Sequence, residues 1–126
     1  VVRRIASSID IAAPPGRIWP FVTNIEWWPR WGLSITAVDS EAGEIFPGLS
    51  GRVRTRLGFW LPFTIGDVVA ESFWDWFVGG VPATGHHLDS REGHTRVRFT
   101  APWVVAPYKP VMTASLKELK RLVESA

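Results

Sequence analysis

Three histidines are the side chains of this sequence best suited to acid–base chemistry near neutral pH, and two of them are adjacent. Neighbouring residues of a strand point to opposite faces, so His86 and His87 cannot bind one metal ion together. His86 shares its parity with Leu88, which predicts that it faces inward as the candidate catalytic acid or base, or as a hydrogen-bond donor to a ligand. A half-buried histidine with a structural role is the alternative. With His94 alone in a turn, no metal site is predicted.

Two side chains are candidate partners of His86 in an acid–base pair, Asp67 and Tyr108, but no spacing fixes either of them. Asp67 and Glu71 share a strand parity and would lie about 13 Å apart, too far for the paired carboxylates of a glycosidase. No serine lies in a Gly-x-Ser-x-Gly elbow, and no Gly-rich phosphate loop follows a strand. The sequence therefore predicts no serine triad, no nucleotide and no other cofactor.

Aromatic residues are unusually abundant, with 8 Trp, 7 Phe and 1 Tyr among 126 residues. This volume exceeds what a solid core of this size readily packs, so it predicts a lined cavity or an apolar binding face. Trp74 and Trp76 share one strand parity and belong either to a packed core or to the wall of a ligand pocket. Trp27, Trp28 and Trp31 either pack against the edge of the sheet or expose an apolar patch at a cavity mouth.

Charge and composition exclude several classes of protein. The net charge is +2, and the arginines at 52, 54 and 56 alternate with Val53, Thr55 and Leu57, which predicts a solvated arginine row outside and an apolar row inside. This small net charge predicts no nucleic-acid partner. No apolar run is long enough to span a bilayer, so no stable membrane insertion is predicted. The absence of cysteine and of a signal-peptide core predicts a cytoplasmic protein. The chain begins with Val rather than Met, so a longer chain with residues before Val1 is the alternative.

Hydrophobic periodicity predicts an order of elements that would position these residues. Period-two alternation predicts strands at residues 2–11, 33–39, 52–57, 63–71, 73–78, 86–90 and 95–102, the last two joined by a turn at Gly93. Gly79, Gly80 and Pro82 predict a break after the fifth of them. Two short helical pieces follow the first strand. Pro20 is expected to kink or shorten the first piece, and the second is expected to begin after Asn24 and end at Pro29.

A longer amphipathic helix closes the chain, and its apolar face carries Met112, Leu116, Leu119 and Val123. Consecutive strands without crossover helices form an antiparallel sheet, and this helix is the only long element able to cover its apolar face. The prediction is one α+β domain over residues 1–126, in which a curved sheet surrounds the terminal helix.

In order and spacing the chain resembles the START/Bet v1-like (SRPBCC) superfamily of helix-grip proteins, nearest to its polyketide cyclase/dehydrase-like branch. The residues that carry the resemblance are Ile9-Asp10-Ile11-Ala12-Ala13-Pro14, Ile18-Trp19, Trp27-Trp28-Pro29-Arg30-Trp31, Gly51, Trp74-Asp75-Trp76, Gly85-His86-His87-Leu88, Gly93-His94-Thr95-Arg96-Val97 and the terminal helix. The resemblance implies a seven-stranded antiparallel sheet in the order 1-7-6-5-4-3-2, which grips the C-terminal helix around an elongated apolar cavity.

Three functions follow as hypotheses. The first is a protein that binds or carries a small hydrophobic ligand, such as a lipid, a polyketide or an aromatic metabolite. The second is a polyketide cyclase/dehydrase-like enzyme that uses His86 as acid or base, and the third is an interaction domain with a collapsed cavity. The protein is expected to be a monomer or a weak homodimer. The residues predicted to contact the ligand are Val53, Thr55, Leu57, Phe63, Trp74, Trp76, His86, Leu88, Val97, Phe99, Tyr108, Met112 and Leu116.

Overall fold

A computed structural model describes residues 4–126 and contains one antiparallel sheet of seven strands. The strands are β1 (Arg4–Ile11), β2 (Ile35–Ser40), β3 (Ser50–Thr55), β4 (Trp60–Val69), β5 (Phe73–Val78), β6 (Val81–Arg91) and β7 (His94–Pro102). Their order across the sheet is β1-β7-β6-β5-β4-β3-β2, as the resemblance implies. Val2, which the alternation places in the first strand, lies outside the described residues.

The terminal helix α3 (Lys109–Ser125) packs against β1 and the short helix α2 (Trp28–Trp31), on the concave face of the sheet. Its predicted apolar face is confirmed, because Met112, Leu116, Leu119 and Val123 are all buried. The Lys120 ammonium adds a tie to β1 by donating to the Asp10 carbonyl over 2.7 Å. Within residues 4–126, no helix is both long enough and apolar enough to cross a membrane.

The two short helical pieces after β1 are present, and proline sets their bounds. Helix α1 (Pro15–Thr23) contains Pro20 and is only nine residues long, in line with the expected shortening. Asn24 caps the next turn (Ile25–Trp27), since its side-chain oxygen accepts from the Glu26 amide. The expectation that Pro29 ends the second piece is wrong. Pro29 lies in the first turn of α2, where its missing N–H group would have no helical partner.

Several strand ends also differ from the periodicity. Strand β4 runs from Trp60 to Val69 rather than over 63–71, β2 runs from Ile35 to Ser40 rather than over 33–39, and two further differences have a local cause. Strand β3 ends at Thr55 rather than 57, because Gly58, with a φ of 92°, turns the chain and its amide donates to the Thr55 carbonyl. Strand β6 begins at Val81, five residues before the predicted start, and includes Pro82 as its second residue. A register irregularity between Asp75 and Phe77 of the neighbouring strand lies beside Pro82, the kind of place where a sheet tolerates proline.

Candidate functional site

An open apolar cavity of about 1100 Å³ lies between the concave sheet and the first half of α3. It reaches the end of the sheet where the β3–β4 and β5–β6 turns meet the 3-10 segment that precedes α3, Trp103–Tyr108. The lining residues are Leu33, Ser34, Ile35, Val53, Thr55, Arg56, Leu57, Leu61, Trp76, Val78, Val81, Pro82, Ala83, Thr84, Ala101, Pro102, Val104, Val105, Pro107, Tyr108, Pro110, Val111 and Ala114.

The polar groups of this lining are few, and most already have partners within the described chain. The Tyr108 and Ser34 hydroxyls lie 2.6 Å apart, and Thr84 Oγ1 accepts from the Trp76 indole N–H over 2.9 Å. Arg56, the one charged lining residue, is exposed and donates to the Leu33 carbonyl. Thr55 Oγ1 is different, because it is buried and has no hydrogen-bond partner among the described residues. The wall therefore favours an apolar molecule with little hydrogen-bonding demand.

Aromatic rings close the inner end of the cavity. The Trp74 ring is sandwiched between Trp28 on one side, with centroids 5.4 Å apart, and His86 on the other, with centroids 3.9 Å apart. Trp31 from the same helix as Trp28 packs on Phe99 at 5.4 Å. These side chains leave only a recess of about 40 Å³ beside the main cavity. The prediction that the helical tryptophans pack against the protein is confirmed for Trp28 and Trp31, which are buried. They pack on the concave face of the sheet and not at its edge.

Both ring nitrogens of His86 are engaged. Nδ1 lies 3.2 Å from the Trp74 carbonyl, which can only accept, so this nitrogen carries the proton. Nε2 therefore accepts from the Thr84 hydroxyl at 3.1 Å, and the same hydroxyl accepts from the Trp76 indole. His86 is 2% exposed, and this burial lowers its pKa to about 3. The imidazole is thus a neutral, fully bonded part of the inner wall near pH 7.

The predicted acid–base pairs do not form. Tyr108 directs its hydroxyl to Ser34, and Asp67 is exposed on β4, where its backbone amide donates to Asp75. His86 faces inward, as the parity predicts, but its neighbours fix it rather than activate it. This arrangement favours the structural alternative for His86 over a general acid or base.

We expect the burial of His86 to make folding stability depend on pH. Below about pH 6.5 the unfolded chain binds a proton that the folded His86 does not, so stability is lost as the pH falls toward 3. From about pH 6.5 to about pH 5 this loss amounts to roughly 2 kcal/mol. Urea unfolding of the wild type at both ends of that range measures it.

The matched variants are His86→Gln and His87→Gln. His87 points to the outer face and is half-buried, and burial lowers its pKa as well, so its contribution has the same sign. We expect His86→Gln to remove most of the pH dependence and His87→Gln to retain most of it. Equal slopes for the wild type and His86→Gln would refute the assignment of a buried neutral imidazole.

The structure divides the predicted ligand-contact residues into three groups. Val53, Thr55, Leu57, Trp76 and Tyr108 line the main cavity. Those that line the small inner recess are Trp74, His86, Phe99 and Met112, together with Trp76 and Tyr108, which face both spaces.

The third group is a correction, because Phe63, Leu88, Val97 and Leu116 line neither space and are buried in the core. Phe63 shows the physical reason, since the Trp28 ring packs against it with centroids 5.6 Å apart. Leu57 is also corrected. It lies on the β3–β4 turn at the cavity mouth and is 83% exposed, not inward on a strand.

Several lining residues were not predicted. Thr84 shares the parity of His86 and was detectable, but the break predicted at Pro82 left this part of the chain out of the strand. The segment Trp103–Tyr108 has no simple period, and its contribution to the mouth, Val104 and Val105, follows only from how it packs. Ala114 carried no signal of its own, because an alanine on a helix is common on any face.

The predicted outer arginine row is solvated at Arg52 and Arg54. Arg56 is a correction, because β3 ends at Thr55 and Arg56, although exposed, lines the cavity mouth and donates to the Leu33 carbonyl. Arg52 and Arg54 are exposed, and Arg52 pairs with Asp39 across the neighbouring strand at 2.8 Å. His94 lies at the start of β7, 3.6 Å from an Asp10 oxygen, and Arg96 holds the pKa of that carboxyl below its usual value through a hydrogen bond. Within residues 4–126, no group of three or more His, Cys, Asp or Glu side chains is placed to hold a metal ion.

No model of a protein family matches this sequence, and no curated protein matches it. Solved structures do match. Protein MLL2253 from Mesorhizobium loti superposes with a TM-score of 0.81 at 13% identity over 98% of each chain. The Aha1 dimer from Colwellia psychrerythraea gives 0.77 at 20% identity, covering 97% of this chain and 96% of its own. Ara h 8.0201 gives 0.73 at 15% identity over the full length of both chains. The fold is thus a Bet v1-like helix-grip fold, which hosts more than one function.

Proposed function

We propose that this protein binds or carries a small, mostly apolar molecule in the cavity between the sheet and α3. The observation that supports the proposal is the open cavity of about 1100 Å³ with its almost wholly apolar wall. Ligand pockets typically have volumes of about 300–1,000 Å³ and surround most of the ligand with apolar side chains. The space is large enough for a lipid chain, a polyketide or a fused aromatic metabolite. A collapsed-cavity interaction domain would not leave this volume.

The few polar groups of the cavity wall indicate which class of ligand fits it. Thr55 Oγ1 is the buried lining hydroxyl without a partner among the described residues, so one oxygen or nitrogen atom of the ligand would complete its hydrogen bonding. Ser34, Tyr108 and Thr84 are already paired with protein groups. A molecule with an apolar body and one or two polar atoms fits this wall better than a sugar or a nucleotide.

Nothing in the cavity favours the polyketide cyclase/dehydrase alternative. That reaction needs a positioned acid or base, and the inward histidine has both nitrogens bonded and is neutral. The polyketide-cyclase branch of the resemblance, the cytoplasmic location and the monomeric or weakly dimeric state stay predictions.

The proposal predicts that Trp76→Ala weakens ligand affinity. Trp76 is buried at the junction of the cavity and the recess, so removing its ring takes away contact area that the ligand would cover. We expect a loss of about 1–3 kcal/mol, or roughly ten- to a hundredfold in Kd. Isothermal titration calorimetry with a long-chain fatty acid measures it.

Trp60→Ala is the matched control. Trp60 lies on the outer face of β4, where the Arg52 guanidinium stacks on it, and it does not line the cavity. Its removal should leave Kd within about twofold, since it offers the ligand no contact. If both variants retain wild-type affinity with the fold intact, the ligand does not contact the inner wall of this cavity.

A further inference from the structure

We propose that the cavity mouth docks on the surface of an anionic lipid bilayer. Four large apolar lining residues in the turns and the segment at the mouth are exposed to solvent: Leu57 (83%), Val104 (67%), Val81 (61%) and Val105. They define the apolar rim, and Phe59 and Trp103, their exposed neighbours in sequence, extend it. The inference depends on the rim and its charges, and it goes beyond the proposed ligand binding.

The rim is a continuous feature because three separate parts of the chain converge on the mouth. The β3–β4 turn supplies Leu57, the β5–β6 turn supplies Val81, and the segment before α3 supplies Val104 and Val105. Single exposed apolar residues are ordinary, but apolar side chains that surround one opening form a patch of the kind that marks an interaction site. A partner with a polar, hydrated surface would leave these apolar side chains in contact with water.

The charged residues near the mouth indicate an anionic partner. The chain stretches that carry the rim, residues 54–66, 76–88 and 98–117, contain none of the 12 Asp and Glu residues. They do contain Arg54, whose guanidinium lies beside the Gly58 turn, as well as the exposed Arg56 and Lys109. Carboxylates lie at the opposite end, with Glu71 and Glu92 in the β4–β5 and β6–β7 turns. The mouth is thus an apolar end with cationic side chains, whereas carboxylates and arginines, such as Glu92 and Arg91, both lie at the opposite end.

An anionic bilayer matches both properties of the mouth. Apolar side chains around an opening with few polar groups insert into the bilayer at the boundary between headgroups and acyl chains, to a depth of roughly 5–10 Å. Arginine and lysine around them are attracted by anionic headgroups, an attraction that falls off over roughly one Debye length. The geometry also places the cavity opening against the acyl region, so that an apolar molecule would pass between bilayer and cavity without crossing water.

Vesicle co-sedimentation of the full chain tests the proposal. The vesicles are either pure phosphatidylcholine or equal parts of phosphatidylcholine and phosphatidylglycerol. We expect the wild type to bind the anionic vesicles, to bind the neutral vesicles at least tenfold more weakly, and to be released by high salt. Val104→Asp should weaken binding to anionic vesicles at least tenfold, and Arg54→Gln roughly fivefold.

The controls carry the same substitutions at the opposite end of the molecule, near Glu71 and Glu92. Val69→Asp changes an exposed valine at the end of β4, and Arg91→Gln changes an exposed arginine beside the β6–β7 turn. Both should bind vesicles as the wild type does. Thermal unfolding checks that each variant is folded, and calorimetry with a fatty acid reports ligand binding separately.

Three outcomes would overturn the proposal. The first is a wild type that fails to bind anionic vesicles, and the second is equal losses for Val104→Asp and Val69→Asp. The third is a concentration-dependent dimer in sedimentation velocity that Val104→Asp abolishes, because the rim would then bind a second copy of this chain. None of these outcomes bears on fatty-acid binding in solution, so failure of docking and failure of the proposed ligand binding are distinguishable.

Discussion

Leu119→Asp should destabilise the folded protein by several kcal/mol. Leu119 has no exposed surface and lies on the face of α3 that packs on the concave sheet. The substitution removes a buried aliphatic side chain and places a carboxylate where no partner is available, and each change is unfavourable by itself. A domain of this size has a total stability of about 5–15 kcal/mol, so the variant should be mostly unfolded or close to it. Urea unfolding followed by circular dichroism measures the loss.

Two further variants make this test decisive. Leu119→Ala should fold and lose about 2–5 kcal/mol, which gives a measurable value if the aspartate variant does not fold. Leu57→Asp is the matched control, because Leu57 is exposed on a turn, and its stability should change by no more than about 0.5 kcal/mol. A Leu119→Asp protein as stable as the wild type would mean that α3 does not bury this face.

The fold was predictable because period and parity are strong signals where one face is buried. The terminal helix shows four buried positions at helical spacing, and β5 shows Trp74 and Trp76 inward with Phe77 outward. The strand order came from the resemblance rather than from periodicity, since alternation indicates which face is buried but not which strands are neighbours. The errors at Pro29 and Pro82 share one cause. Both predictions treat proline as a stop, whereas its effect depends on whether the fold needs a backbone N–H group at that position.

The site was less predictable, because a cavity is a property of packing. Parity placed Phe63, Leu88, Val97 and Leu116 inside correctly, yet it could not show that they are in the packed core. Which end of the concave face stays open depends on where Trp28 and Trp31 insert, and these residues come from a distant helix. The composition indicated excess aromatic volume, and the structure divides that volume between two places. Trp28, Trp31, Trp74 and Trp76 pack at the closed end. Phe46, Phe59, Trp60, Phe77 and Trp103 are exposed on the surface.

His86 illustrates the same limit. Parity correctly placed it inside, but its chemistry depends on two partners, the Thr84 hydroxyl two residues before it and the Trp74 carbonyl on the neighbouring strand, and no spacing specified the second. The stacked Trp74 ring removes it further from water. The same side chain in a wetter cavity would titrate near its ordinary pKa and be available for catalysis.

Ligand binding in this cavity is tested most directly by titrating a fluorescent long-chain fatty acid into the wild type and into Ala114→Trp. Ala114 is half-buried on α3 and faces the cavity, so a tryptophan there would fill the space that the ligand needs. Lys117→Trp, on the exposed face of the same helix, is the control. We predict saturable one-to-one binding to the wild type and to Lys117→Trp, and a loss of at least about a hundredfold in Ala114→Trp, equivalent to roughly 3 kcal/mol. No saturable binding to the wild type, or equal affinity in a folded Ala114→Trp, would contradict the assignment of this cavity as the ligand site.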